Sequence, residues 1–181
     1  MTVSSRPLVG EPIAMDLINT RWVSGGTRHD LLDGPTGLAR WLTEAGLGTR
    51  FDADPAALPP LLRARDAIAV LVAAPDDPGA TAELNAILEH GTVRRTLAEG
   101  APRTAVAFDA PAWGPAWTAA DGYLDLLAAP DRIRRCAHPD CVLYFYDTSK
   151  NGTRRWCSMA GCGNRAKAAR HHARERTGRG A

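Results

Sequence analysis

Four cysteines are the residues of this chain whose type and spacing could do chemistry: Cys136, Cys141, Cys157 and Cys162. They form two pairs of equal C-x4-C spacing, fifteen residues separate the pairs, and the first 135 residues hold no cysteine. Cysteines scattered through a core would not fall into two matched pairs. Two short thiolate pairs from separate loops supply the four soft ligands that tetrahedral zinc requires. Two disulfides are a competing reading. The segment Met1 to Gly10 has one Arg and no apolar core of the kind an export signal needs, so an oxidising compartment is not indicated. An iron–sulfur cluster is the third reading, but such runs usually crowd three cysteines into one stretch. One zinc ion is therefore expected, and four thiolates leave no coordination position for water, so its expected role is structural.

Short elements must hold these cysteines. Leu143 to Tyr146 is an aromatic, strand-like run, and Asn151-Gly152 is a strong hairpin signal. Arg154, Arg155 and Trp156 then read as the returning strand. After Cys162, Asn164 can cap a helix, and residues 165–176 are strong helix formers without Gly or Pro, ended by Gly178. Knuckle, hairpin, knuckle, helix is the order of a treble-clef zinc finger. The helix is small and polar, so metal binding must supply most of its folding energy, on the order of 10 kcal/mol or more.

The net charge of +2 hides a division. Residues 1–131 carry ten Lys/Arg and seventeen Asp/Glu, a net of −7, and residues 132–181 carry twelve and three, a net of +9. The basic part has the charge of a polyanion binder. Lys167, Arg170 or His171, and Arg174 recur at helical spacing and make one cationic face. Arg154 and Arg155 lie on the expected hairpin nearby, and Arg132, Arg134 and Arg135 precede the first knuckle. Arg165 reads equally as a nucleic-acid contact or as a structural residue stacked on Trp156 or bonded to the hairpin. His138, His171 and His172 read as surface or loop residues, because four cysteines already complete the metal shell.

The string Cys162-Gly163-Asn164-Arg165 resembles the motif of the CGNR zinc-finger family. Arg155-Trp156-Cys157-Ser158-Met159 and the Asp147-Thr148-Ser149 … Asn151-Gly152 tip are similar to that family as well, over residues 131–176. The resemblance implies a bacterial DNA-binding transcription regulator in which the four cysteines bind zinc. Upstream, Ala14-Met15-Asp16-Leu17-Ile18-Asn19-Thr20 resembles the Leu-Asp-Phe-x-Asn-Thr opening of the ABATE domain, with Leu17 where an aromatic often stands. Leu31 to Leu42 resembles that domain's first helix. ABATE is described as a stress-induced transcription regulator.

The body reads as α+β and helix-rich, with a short strand and a β-hairpin. A strand is expected over 12–20, and helices over 35–46, 59–74, 80–90 and 114–128. A hairpin of Thr92–Leu97 with Arg103–Phe108 turns at Glu99-Gly100. Gly25-Gly26 and Gly46-x-Gly48 fit no nucleotide fingerprint. Asp16, Asn19 and Thr20 form a polar cluster inside an apolar segment. They read as a structural cap or buried hydrogen-bond network, or as part of a small-molecule pocket with Arg21 and Trp22 near its rim. No run of about eighteen apolar residues is present, so no membrane span is expected.

The expected division is an ABATE-like regulatory or sensing domain over 1–130 and a CGNR finger over 131–181. The expected function is a cytoplasmic, zinc-dependent DNA-binding regulator, not an enzyme, whose body senses a signal or mediates homodimerisation. A zinc-stabilised protein-interaction module and an RNA-binding protein are the alternatives.

Overall fold

A computed structural model describes residues 6–169. Its centre is α1 (Ile13–Ile18), in which Ala14, Met15, Asp16, Leu17 and Ile18 are all buried. Around it lie α2 (Pro35–Glu44), α3 (Leu58–Leu71), α4 (Pro78–Leu88) and α5 (Gly114–Leu126). These four follow from local signals. Pro35 opens α2, and Leu38, Trp41 and Leu42 form its buried face. Gly46, at φ +70°, ends it, with Gly46 N bonding Thr43 O and Leu47 N bonding back to Leu42 O. In α3 the buried positions Leu61, Ala64, Arg65, Ile68 and Leu71 keep helical spacing. Asp77 caps α4 through a 2.8 Å bond from Ala80 N.

The first segment departs from the expectation. Residues 12–20 hold a buried helix, not a strand. A short run that is apolar on every side fits either period, and burial on all faces decides for the helix here. The first strands follow it: β1 (Arg21–Ser24) pairs antiparallel with β2 (Thr27–Asp30). Their turn is Gly25-Gly26, both at positive φ (56° and 78°), as a tight hairpin turn requires.

The second hairpin, β3 (Gly91–Ala98) with β4 (Ala101–Phe108), turns at Glu99-Gly100, φ 53° and 77°. At its base, Gly91 lies against the Trp117 indole, where a Cβ would come within 2.3 Å of Nε1. Phe108 packs between Phe51 and Trp117. From Thr92 to Ala105 both faces are exposed, so this ribbon stands away from the core.

The finger contributes β5 (Ile133–Arg135), β6 (Tyr144–Tyr146), a π-turn at Met159–Gly163 and helix over 164–169. β6 pairs with β5, in the register Ile133↔Tyr146 and Arg135↔Tyr144, and not with residues 154–156, which form no strand. The buried core runs without interruption from the helices into the finger through Leu143, Phe145 and the four cysteines. Among the described residues no helix is long and apolar enough to cross a membrane.

Candidate metal centre and nucleic-acid interface

The first knuckle hangs between β5 and β6, where Cys136 N donates to Leu143 O (2.9 Å). The second is held by Ala137 N to Arg155 O (2.8 Å) and Cys157 N to Cys136 Sγ (3.3 Å). Asn164 does not cap the last helix. It lies inside the helical run, and the Ser158 hydroxyl accepts from Gly161 N (3.2 Å) at the start of the turn that carries Cys162.

The four Sγ atoms lie within 4.8 Å of one another, and all four residues are buried. Cys141 to Cys157 is 3.9 Å and Cys157 to Cys162 is 3.5 Å. A tetrahedron with Zn–S bonds of about 2.3 Å has an edge of about 3.8 Å, so these separations fit zinc. Cys141, Cys157 and Cys162 also line a cavity of about 40 Å³, room for an ion. A hydrogen bond from the Cys157 thiol draws Cys141 down to about 5. That same bond, with Cys141 as its acceptor, pushes Cys157 far above its ordinary range, and burial raises Cys162. A divalent cation displaces the remaining protons, which links affinity to pH. Arg165 donates to Cys162 Sγ (3.0 Å) and offsets part of the thiolate charge, so its role here is structural. His138 is outside the cluster and accepts from Asp140 N within its own loop.

The body closes this site. Pro7 and Val23 line the metal cavity beside Leu143. Asn19 reads the edge of β6 as a strand would: its Nδ2 donates to Tyr144 O (2.7 Å) and Tyr144 N donates to its Oδ1 (3.0 Å). Glu11 accepts from Tyr146 N (3.0 Å) and from Arg154 (2.7 Å). An Asn19→Ala variant leaves two backbone groups of β6 without partners, at about 1–3 kcal/mol each. We expect a lowered melting temperature and faster amide exchange at Tyr144; unchanged exchange there would show that Asn19 does not dock the finger.

Of the candidate pocket residues, Asp16, Asn19 and Thr20 are committed to buried hydrogen bonds, while Arg21 and Trp22 border a surface depression. Asp16 binds Arg6 (2.8 Å), Trp41 Nε1 (3.1 Å) and Gly10 N (3.1 Å). Thr20 Oγ1 donates to Leu17 O and accepts from Arg65. All three side chains are buried and engaged in a hydrogen-bond network. Arg21 pairs at the surface with Asp30 and Asp66, and Trp22, in β1, is buried and stacked on His29. Arg6 and Glu11 carried no sequence signal, and the place of Arg65 on the buried stripe of its helix did not reveal its partners Thr20 and Asp30, which are distant in the chain.

The basic residues divide in the same way. Arg154 donates to Trp156 O, Cys157 O and Glu11, and lies 4.2 Å from the Phe145 ring centroid. Arg132 holds Asp147 O and Ser149 O, and Arg134 holds Gly152 O. Asp147 is buried at the centre of that loop. Hydrogen bonds from Ser149 hold its carboxyl below the usual range. Arg155 is exposed and lies over Trp156 (5.3 Å), while the side chains of Arg135 and Lys167 are exposed and make no hydrogen bond or ion pair among the described residues. Arg155, Trp156, Ala166, Ala169 and the first knuckle from His138 to Asp140 border a surface depression of about 420 Å³. Arg170, His171, His172 and Arg174 lie outside the described residues.

Four buried thiols at zinc separations, two knuckles, a following helix and a helical body that closes the cavity define a structural zinc finger docked on a helical domain. Two family models match. Residues 11–130, more than half of the chain, match ABATE, described as "Putative stress-induced transcription regulator", and residues 132–175 match the CGNR zinc finger. The chain belongs to the ABATE family and carries one structural Zn²⁺ in a CGNR finger. No curated protein matches it.

Proposed function

We propose that this protein is a zinc-dependent DNA-binding transcription regulator whose N-terminal domain senses a signal or mediates dimerisation. It is not an enzyme in this reading, and it acts in the bacterial cytoplasm in response to stress. The observation that carries the proposal is the division of the finger's cations. Arg132, Arg134, Arg154 and Arg165 commit their side chains to hydrogen bonds within the finger, while the exposed side chains of Arg135, Arg155 and Lys167 make no hydrogen bond or ion pair among the described residues. Exposed cations on a rigid, metal-held scaffold are suited to phosphate contacts. The exposed β3–β4 ribbon, with Val93 and Leu97 on one face, favours self-association, which would present two fingers to one duplex.

The test is a titration of zinc-loaded protein with duplex fragments of its own genome at two salt concentrations. Binding should weaken with salt. Arg155→Ala and Lys167→Ala should each lower the magnitude of the salt slope by about one. Tighter binding to RNA would favour the RNA-binding alternative. No salt-sensitive binding to either, with zinc present, would favour a protein-interaction module.

A further inference from the structure

A second surface depression is built from both parts of the chain. It has a volume of about 460 Å³, within the range of small-molecule sites. Its walls are β1 from Arg21 to Val23, β2 from Arg28 to Asp30, and Val142, the neighbour of the zinc ligand Cys141.

Three features define what it would hold. Trp22 is only 4% exposed, yet its indole N–H has no hydrogen-bond partner. That nitrogen is itself shut off from solvent, so Trp22 offers the depression its apolar ring. Arg28 is exposed and has no hydrogen bond or ion pair among the described residues. By contrast, Asp30, the carboxylate of the depression, is already shared by Arg21 and Arg65. Burial alone would raise the Asp30 carboxyl, but the hydrogen bond and charge of Arg65 outweigh it and keep it ionised and satisfied. The uncommitted charge of the site is therefore positive. Val23, Val142 and the stacked Trp22–His29 pair (5.1 Å between centroids) supply the apolar surface.

We infer that this depression binds a small organic carboxylate with an apolar body, the carboxylate on Arg28 and the body against Val23, Val142 and the Trp22–His29 pair. Val23 lines both this depression and the metal cavity. An occupant thus touches the residue that closes the zinc site and the residue next to Cys141. That position suits the signal input of the regulator proposed above. The input role rests on that reading; the binding does not.

The experiment uses the zinc-loaded full chain labelled with ¹⁵N. Its five tryptophans give five indole N–H resonances, and Trp22→Phe identifies the one that matters. Benzoate is titrated, with benzamide and acetate as controls. Benzoate should move the Trp22 resonance saturably, acetate should bind more weakly, and Arg28→Gln should weaken benzoate at least tenfold. The proposal is overturned by no saturable movement, by equal affinity for benzamide, or by unchanged benzoate affinity in Arg28→Gln. Saturable benzoate binding that leaves DNA affinity unaltered overturns the input role and leaves the site. Loss of DNA binding in every condition, with benzoate still bound, overturns the regulator reading alone.

Discussion

A Cys157→Ser variant is expected to lose zinc and the folded finger with it. Cys157 Sγ sits between Cys141 and Cys162, at 3.9 and 3.5 Å, and its backbone N–H donates to Cys136 Sγ. A serine hydroxyl is not a thiolate and is a poor ligand for a soft site. Structural zinc contributes on the order of 10 kcal/mol to a small finger, comparable with a typical domain's entire net stability of about 5–15 kcal/mol. β6 is three residues long, so little else holds it. The loss should spread into the body, because Leu143 and Phe145 belong to the common core and Asn19 and Glu11 bond to β6. Metal analysis should show one zinc per wild-type chain and much less in the variant. Amide exchange should rise at Tyr144 and Tyr146, and a chelator should reproduce both changes in the wild type. A variant that keeps stoichiometric zinc at native affinity would mean that the four cysteines are not the ligand set.

The second large effect is expected at Asp16→Ala. The side chains of Arg6 and Asp16 are 0% and 3% exposed, and they meet at 2.8 Å. Glu44 also binds Arg6, but it is partly exposed, and Arg40 shares it. Removing one member of a buried pair leaves the other charge without compensation, at about 3–5 kcal/mol. Trp41 Nε1 and Gly10 N lose their acceptor as well. Chemical denaturation should show the lower stability while zinc content at low temperature stays near one per chain. Asp16→Asn is the informative control. It keeps the shape and an acceptor for Trp41 but removes the charge, so it should fall between the wild type and Asp16→Ala. A stability change below about 1 kcal/mol in Asp16→Ala would sink the buried-hub account, since surface substitutions have effects of that size or less.

The opening segment shows where sequence reasoning stops. Asp16, Asn19 and Thr20 stood out as polar residues in an apolar run, and that signal was real. Their partners are Arg6, Trp41, Arg65 and the backbone of Tyr144, the last 125 residues away. Nothing local distinguishes a buried network from a ligand pocket when the partners lie that far off. The basic residues behave alike. Spacing puts Arg154 beside Arg155, yet Arg154 turns inward to Glu11, Cys157 and Phe145 while Arg155 stays exposed. Charge counting cannot separate them, because both have the same local neighbours.

The sequence by itself determined the zinc ligands, the order of knuckles and helix, and four body helices and the ribbon. Each of these rests on interactions within a few residues: ligand spacing, caps, and turns that need positive φ. Only the tertiary structure decided that residues 13–18 are a helix, that β6 pairs with β5, and that Asn19, Glu11 and Val23 join body to finger. Those outcomes depend on burial and on hydrogen-bond partners from distant segments. Short apolar or polar runs leave them open until the chain has packed.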